Sequence, residues 1–300
     1  MFDFGFSEEE ELVADTAAAF ARRELRPRMR AHEADGVGDD VRASFDDTGL
    51  AEAGELGAVG QARVLEALGW GDAGAAMSLM APALSAQVTT ALGAPAASCV
   101  HPVEEVSGDS ISVGWIPAPP DPGLIVFDPA GRWRQGGADM QASRGLGLHA
   151  ASGASGVMGP GDARGEGDGA AALAALQLAG AALLAGLCRA SLEYASEYVQ
   201  ERRAFGRRLA DHQALAFLIA EMAIRTEAAR LSVFAAGATG GAALAGDAWL
   251  TALDAACWVT DQGVQLLGGH GYMKAHPVEK WMRDARCLAM CWGGRDLSWT

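Results

Sequence analysis

The residues able to do chemistry in this 300-residue chain concentrate in two stretches. The first, ASLEYASEYVQERRAFGRRLADHQALAFLIAEMA (190–223), sets four arginines around a Phe-Gly pair. The second, DQGVQLLGGHGYMKAHPVEKWMRDAR (261–286), carries a glycine-rich turn ahead of a charged segment. By residue type alone, RRAFGRR reads as a helix ending at Gly206 with cations in its last turn, where the macrodipole favours them. GGHGY reads as a turn between helices. Such a pair describes a helical bundle and leaves open whether it holds a cofactor. The five cysteines (Cys99, Cys188, Cys257, Cys287, Cys291) contain no CxxC pair. Cys287 and Cys291 are one helical turn apart but lack a second pair to complete a zinc site, so no metal centre is expected.

Three zones must position these stretches. From residue 1 to about 100 the chain reads as helical: Ser7 and Glu10 form a capping box, and apolar residues recur at helical spacing through Leu12, Val13, Ala17 and Phe20. Pro27 falls near the end of that helix, and the alanine-rich run from Ala62 to about Ala91 breaks at the glycines of VLEALGWGDAG. From His101 to Gly169 prolines and glycines cluster and short β-favouring runs appear, ISVGWI and GLIVFD among them, before an exposed linker, GPGDARGEGDG. From Ala170 onward the helical pattern returns. Between Gln213 and Phe234, Leu215, Leu218, Met222, Ala229 and Val233 share one side, opposite Glu221, Arg225 and Ser232. The outline is α+β, mainly α: an N-terminal helical domain (1–100), a reduced middle β-domain with linker (101–169), and a C-terminal helical bundle (170–300).

Composition narrows the function classes. Half the residues are hydrophobic and the formal charge is −15, from 23 basic and 38 acidic side chains. No excess of cations is available to displace phosphate counterions, which argues against nucleic acid and against anionic membrane surfaces. The uncharged run Ala170–Cys188 approaches bilayer-spanning length. Its alanines and glycines suit a helix packed closely among other helices instead, and we expect the central helix of a bundle. The opening MFDFGFSEEEE is acidic where a signal peptide is basic, so a cytoplasmic setting is expected.

Together and in this order, the two stretches resemble the acyl-CoA dehydrogenase family. The family pattern Y-x-x-x-R-x-x-F-G, then H/F-Q, then A-x-M, is met by Tyr198, Arg202, Phe205, Gly206, His212, Gln213, Ala220 and Met222. The later Q-x-x-G-G-x-G-Y and P-V-E-K-x-x-R-D-A patterns are also present, from Gln265 and from Pro277. FSEEEELVADTAAAFARRELRP and VLEALGWGDAG are similar to the family's N-terminal helices. The resemblance implies N-terminal helices, a middle β-domain and a C-terminal four-helix bundle that builds oligomers. It also implies FAD shared across a subunit interface, a glutamate base acting on an acyl-CoA, and electron-transfer flavoprotein as the electron acceptor. Matched by position, Arg202 faces the FAD pyrophosphate, Phe205 and Gln213 line the same flavin, and Gln265, Gly268 and Gly269 let backbone approach its adenosine half.

The chain departs from that family where its own active site would lie. The two positions at which the family places its glutamate hold Trp292 and Leu176, neither of which takes a proton. Asp296, one turn past Trp292, is the weak remaining candidate. Ala174 and Gln177 replace an Asp-x-x-Arg pair that meets CoA. The flavin-cradling β-domain motifs have no clear counterpart, GWIPAPPDPG and RGLGLHAASGASGVM being the nearest remnants, and the sequence given ends before the family's usual last helix. Trp281, Trp292 and Trp299 are expected to fill the degenerate site. The losses fall on the chain's own site and the retained motifs serve a neighbour. We therefore expect no catalytic residue in this chain, and a shortened subunit like those of the α2β2 enzymes of bacterial steroid degradation. Such a subunit completes the FAD site of a second, larger subunit that binds the acyl-CoA. The alternative is a stand-alone protein of this fold repurposed for non-redox chemistry or small-molecule binding.

Overall fold

The computed structural model describes residues 6–292 apart from 108, 118–122, 137 and 152. The capping box forms: Ser7 Oγ accepts from Glu10 N at 3.2 Å and Glu10 Oε2 accepts from Ser7 N at 2.8 Å, starting α1 (Glu8–Phe20). Val13, Ala17 and Phe20 lie on its inner face, whereas Leu12 is 67% exposed. Only the i, i+4, i+7 set faces the core, and Leu12 sits on the flank. A π-turn and a 3₁₀ turn carry the chain through Pro27 into α2 (Met29–Asp35) and α3 (Asp39–Asp46). The alanine-rich run forms α4 (Gly57–Leu92), interrupted at Asp72, whose φ of −162° and ψ of 108° are extended. The break expected at GWGDAG is therefore present.

The middle of the chain makes two small sheets. Strands β1 (Cys99–Pro102), β3 (Leu124–Phe127), β4 (Arg132–Gly136) and β7 (Ala163–Glu166) form one; β2 (Ile111–Pro117), β6 (Gly153–Met158) and β5 (Ala138–Ala142) form the other, antiparallel throughout. In the first sheet β1 pairs with β3 in parallel and the remaining pairs are antiparallel. Two expectations need correction here. The segment read as a linker contains β7, hydrogen-bonded to β4 through a polar Ala-Arg-Gly-Glu sequence that gives no hydrophobic alternation. The strands also begin at Cys99, so the expected boundary at residue 100 falls inside β1.

Helix α5 (Gly169–Glu201) begins with Asp168 capping Ala171 N at 2.9 Å and runs through the bundle centre. Gly180, Leu183, Leu184 and Leu187 are among its buried residues, and 67% of its most apolar stretch lies inside this chain. Helices α6 (Gln213–Thr239) and α7 (Ala242–Leu267) pack on it, and α8 (Val278–Ala289) closes the bundle. The small residues have a direct cause. A Cβ on Gly69 would meet the Leu183 carbonyl oxygen at 2.7 Å, and one on Gly186 would meet the Glu66 carbonyl oxygen, so α4 and α5 cross with their backbones in contact. In α6, Met222, Ala229 and Val233 are buried as the spacing predicts, and Leu215 and Leu218 are half-buried. A two-residue hairpin, β8 (Arg203–Ala204) and β9 (Arg207–Arg208), links α5 to α6.

Ion pairs tie α2 to α8. Glu33 accepts from Arg30 at 2.7 Å and from Arg283 at 2.6 Å, and both arginines also reach Glu279, at 2.7 and 2.8 Å. Burial alone pushes the Glu33 carboxyl up, but the two guanidiniums outweigh it and bring it from 4.5 to about 2. A carboxylate lowered on folding contributes stability that is complete above its unfolded value and disappears as pH falls towards the folded one. We expect urea midpoints measured at successive pH values to fall between pH 4.5 and about 2, and to fall less steeply in Glu33→Gln. Equal slopes in the two proteins would contradict this role.

Candidate functional site

Helix α5 ends at Glu201, five residues earlier than the sequence suggests. Arg202 is extended, and the β8–β9 hairpin turns at Phe205 and Gly206, whose φ values of 54° and 82° are those of a tight primed turn. Leu209 N closes the loop on the Arg202 carbonyl at 2.8 Å. Within the loop Arg208 pairs with Asp211 at 2.9 Å, holding that carboxyl below its ordinary value, and Arg207 donates to His212 Nδ1 at 3.1 Å. Arg202 makes no ion pair among the described residues, and it faces a cavity of about 460 Å³.

Four of the six residues matched to cofactor contacts line that cavity: Arg202 from the end of α5, Gln265 from the last turn of α7, and Gly268 and Gly269 from the 3₁₀ turn Gly268–Tyr272. Leu209, Leu215, Leu218, Leu266 and Leu267 supply apolar walls. An apolar cleft with a few converging polar groups is the usual build of a small-molecule site. Phe205 and Gln213 are not among the cavity's lining residues. Phe205 stands at the hairpin tip, 93% exposed, and Gln213 opens α6 on its exposed side. Two further lining residues, Tyr198 and His270, sit inside the motifs that located the site and were given no role by them.

The two glycines differ in what the backbone asks of them. Gly268 has φ 57° and ψ −132°, a conformation closed to side chains by local sterics. Gly269 has no positive φ, and a Cβ built on it meets no protein atom within 4 Å among the described residues. Nothing described in this chain demands a glycine at 269. We expect Gly268→Ala to cost about 1–3 kcal/mol of stability. Gly269→Ala is expected to leave the unfolding midpoint unchanged. Equal unfolding midpoints for the two variants would contradict the distinction.

The two positions matched to the family's base meet in a second, much smaller cleft. Leu176 and Trp292 line it together with Met77, Leu84, Ser85 and Cys99, and it leaves about 30 Å³, room for about one water molecule. Trp292 packs against Trp249, with ring centroids 6.4 Å apart, and both rings lie on Gly180, where a Cβ would meet them at 2.8 and 2.5 Å. The filled site is as expected, and Trp292 fills it as named, but its companion is Trp249. Trp281 lies elsewhere, buried beside Tyr194 at 5.8 Å and under the Arg26 guanidinium at 4.2 Å, because its position on α8 faces α5 and the N-terminal helices. Trp299 and Asp296 lie outside the described residues. Burial pushes the Cys287 thiol up to about 11 and lifts Cys291 well above its ordinary value, opposing the thiolate that metal binding or nucleophilic chemistry requires.

The charged residues of the PVEKWMRDAR motif build structure instead. Lys280 donates to Asp72 at 2.9 Å and to Asp284 at 2.6 Å, His32 lies 3.4 Å from Asp72, and all four side chains are buried. Asp72 also accepts from Gly74 N at 3.1 Å, capping the helix that resumes after the break, and Asp284 accepts from Leu148 N at 2.6 Å. This knot joins the kink of α4, the start of α8 and the loop before β6.

Residues 170–297 match the family model described as acyl-CoA dehydrogenase, C-terminal domain. An acyl-CoA dehydrogenase of Bacillus subtilis strain 168 is 38% identical over 122 residues, which are 39% of this chain and 32% of that protein. A 3-sulfinopropanoyl-CoA desulfinase of Cupriavidus necator is 35% identical over 116 residues, 37% of this chain and 29% of that protein. These matches therefore span about a third of the curated relatives' length. The butyryl-CoA dehydrogenase of Megasphaera elsdenii superposes over 96% of this chain and 95% of its own, with TM-score 0.77 and 20% identity. A glutaryl-CoA dehydrogenase of Mycobacterium smegmatis, solved in complex with FADH2, superposes over 95% and 91% with TM-score 0.75 and 14% identity. At those identities the likeness is one of fold. Residues 170–297 belong to the acyl-CoA dehydrogenase C-terminal domain family, and the chain carries the acyl-CoA dehydrogenase fold along nearly its whole length.

Proposed function

We propose that this chain is the completing subunit of an FAD-dependent acyl-CoA dehydrogenase, lending its surface pocket to a flavin held mainly by a second, larger subunit. The observation that carries this reading is the contrast between the two clefts. Arg202, Gln265, Gly268 and Gly269 converge on an open cavity of about 460 Å³, while Leu176 and Trp292 close the base site down to about 30 Å³. An acyl thioester and a flavin ring need far more room than one water, and neither leucine nor tryptophan accepts a proton. In the open pocket, Arg202 offers a permanently charged fork to a diphosphate, Gln265 an amide donor, and Gly269 an unobstructed backbone. Bound FAD supplies hydride acceptance. This chain's part is to bind and orient the cofactor's adenosine-diphosphate half, while the partner provides the base and the acyl-CoA site, and electron-transfer flavoprotein removes the electrons.

The test is flavin content and acyl-CoA oxidation, measured on the purified chain alone and on the chain with the polypeptide that co-purifies from its host. The reading expects neither flavin nor activity in the first sample and both in the second. Oxidation of acyl-CoA by the chain alone would overturn it. A flavin-free homo-oligomer holding some other small molecule would favour a repurposed stand-alone protein.

A further inference from the structure

Beside the open pocket, four aromatic rings from two distant segments lock together. Tyr198 Oη lies 2.8 Å from His270 Nδ1, and Tyr194 Oη lies 2.7 Å from His276 Nδ1. The two imidazoles stack on one another, with centroids 5.4 Å apart and planes within 10°. Tyr194 in turn sets its edge against the buried Trp281. The loop that carries His276 is pinned from the other side, since Arg30 donates to the carbonyls of Lys274 at 3.0 Å and His276 at 2.9 Å. His270 is thus fixed in ring orientation as well as in backbone, and it is the member of the set, with Tyr198, that lines the pocket.

We propose that His270 is a ligand-binding residue of this pocket, donating its Nε2 hydrogen to an oxygen of a nucleotide diphosphate or its ribose, and that Tyr198 is the positioning residue that sets its tautomer. The inference rests on the pocket being a nucleotide site, as proposed above. Its chemistry follows from the hydrogen-bond inventory. A phenol hydroxyl is the better donor of the pair, and Tyr198 Oη makes no other hydrogen bond among the described residues. With Tyr198 donating to Nδ1, the single imidazole proton resides on Nε2. That nitrogen has no partner among the described residues, so its donor is free for a ligand. Arg202, Gln265 and His270 then present three donors from three different elements to one apolar-walled cleft, and the second imidazole–tyrosine pair keeps the third from turning away.

The full chain, in the assembly in which it purifies and stripped of nucleotide, is titrated with ADP-ribose by calorimetry. His270→Phe keeps the ring stack and removes the donor; it should weaken binding about tenfold with an unchanged unfolding midpoint. His270→Gln, whose amide N–H reaches close to the Nε2 position, should recover most of the loss. Tyr198→Phe should lose severalfold, because the tautomer is no longer set. If Arg202→Met weakens binding but His270→Phe does not, the role of His270 is overturned while the pocket stands. A lowered midpoint in His270→Phe that His270→Gln fails to rescue, in either affinity or stability, would make His270 structural and also overturn it. If the unaltered chain does not bind ADP-ribose, or binds it without regard to Arg202, the pocket reading itself fails.

Discussion

Replacing Lys280 with methionine is expected to lower the unfolding free energy by about 3–5 kcal/mol, since it strands two buried carboxylates. That is a large part of the stability of an ordinary domain. Lys280 is the only cation in contact with both Asp72 and Asp284 among the described residues, and Asp72 caps the resumed half of α4. Burial pushes Asp72 up, but Lys280 and His32 together outweigh it and hold it below the ordinary carboxylate value. Asp284 moves the other way, raised first by burial and then by the neighbouring Asp72, against Lys280. The contribution of Asp72 is therefore present above the ordinary carboxylate range and disappears as pH falls through its lowered value. A chain with Lys280→Met, Asp72→Asn and Asp284→Asn together should be more stable than Lys280→Met alone, because no unpaired charge remains buried. Urea unfolding of the two variants reads this directly, and a Lys280→Met midpoint equal to that of the unaltered chain would contradict it.

The largest functional effect is expected at Arg202. Arg202→Met should weaken flavin retention by the assembled enzyme about a hundredfold, the loss of two charge-assisted hydrogen bonds to a diphosphate. The side chain is exposed and makes no ion pair among the described residues, so the unfolding midpoint should stay where it is. Arg202→Lys should recover little of the affinity, because a point ammonium does not reproduce the fork. Flavin retention equal to that of the unaltered complex, measured by absorbance after gel filtration, would remove Arg202 from the site.

The sequence made the site more legible than the scaffold around it. Arg202 and Gln265 are far apart along the chain, yet their motifs each mark a helix end, and the fold brings these ends to one cavity. Leu176 and Trp292, matched to two separate solutions for the same base, meet in one cleft. What spacing could not reveal depends on three-dimensional pairing. The Asp72–Lys280 contact spans 208 positions; its local traces were the aspartate at the α4 break and the i, i+4 pair of Lys280 and Asp284. Strand β7 escaped because its residues are polar and its identity as a strand comes from β4. A left-handed hairpin corner holds Phe205 outward on the surface of this chain, and Trp281 was grouped with Trp292 by residue type although α8 directs it towards α5.

The central claim, that this chain completes another subunit's flavin site, is met most directly by a native mass spectrum of the affinity-tagged protein isolated from its own host. The account predicts two copies of this chain with two larger chains and two FAD molecules. A homo-oligomer carrying one FAD per chain would contradict it.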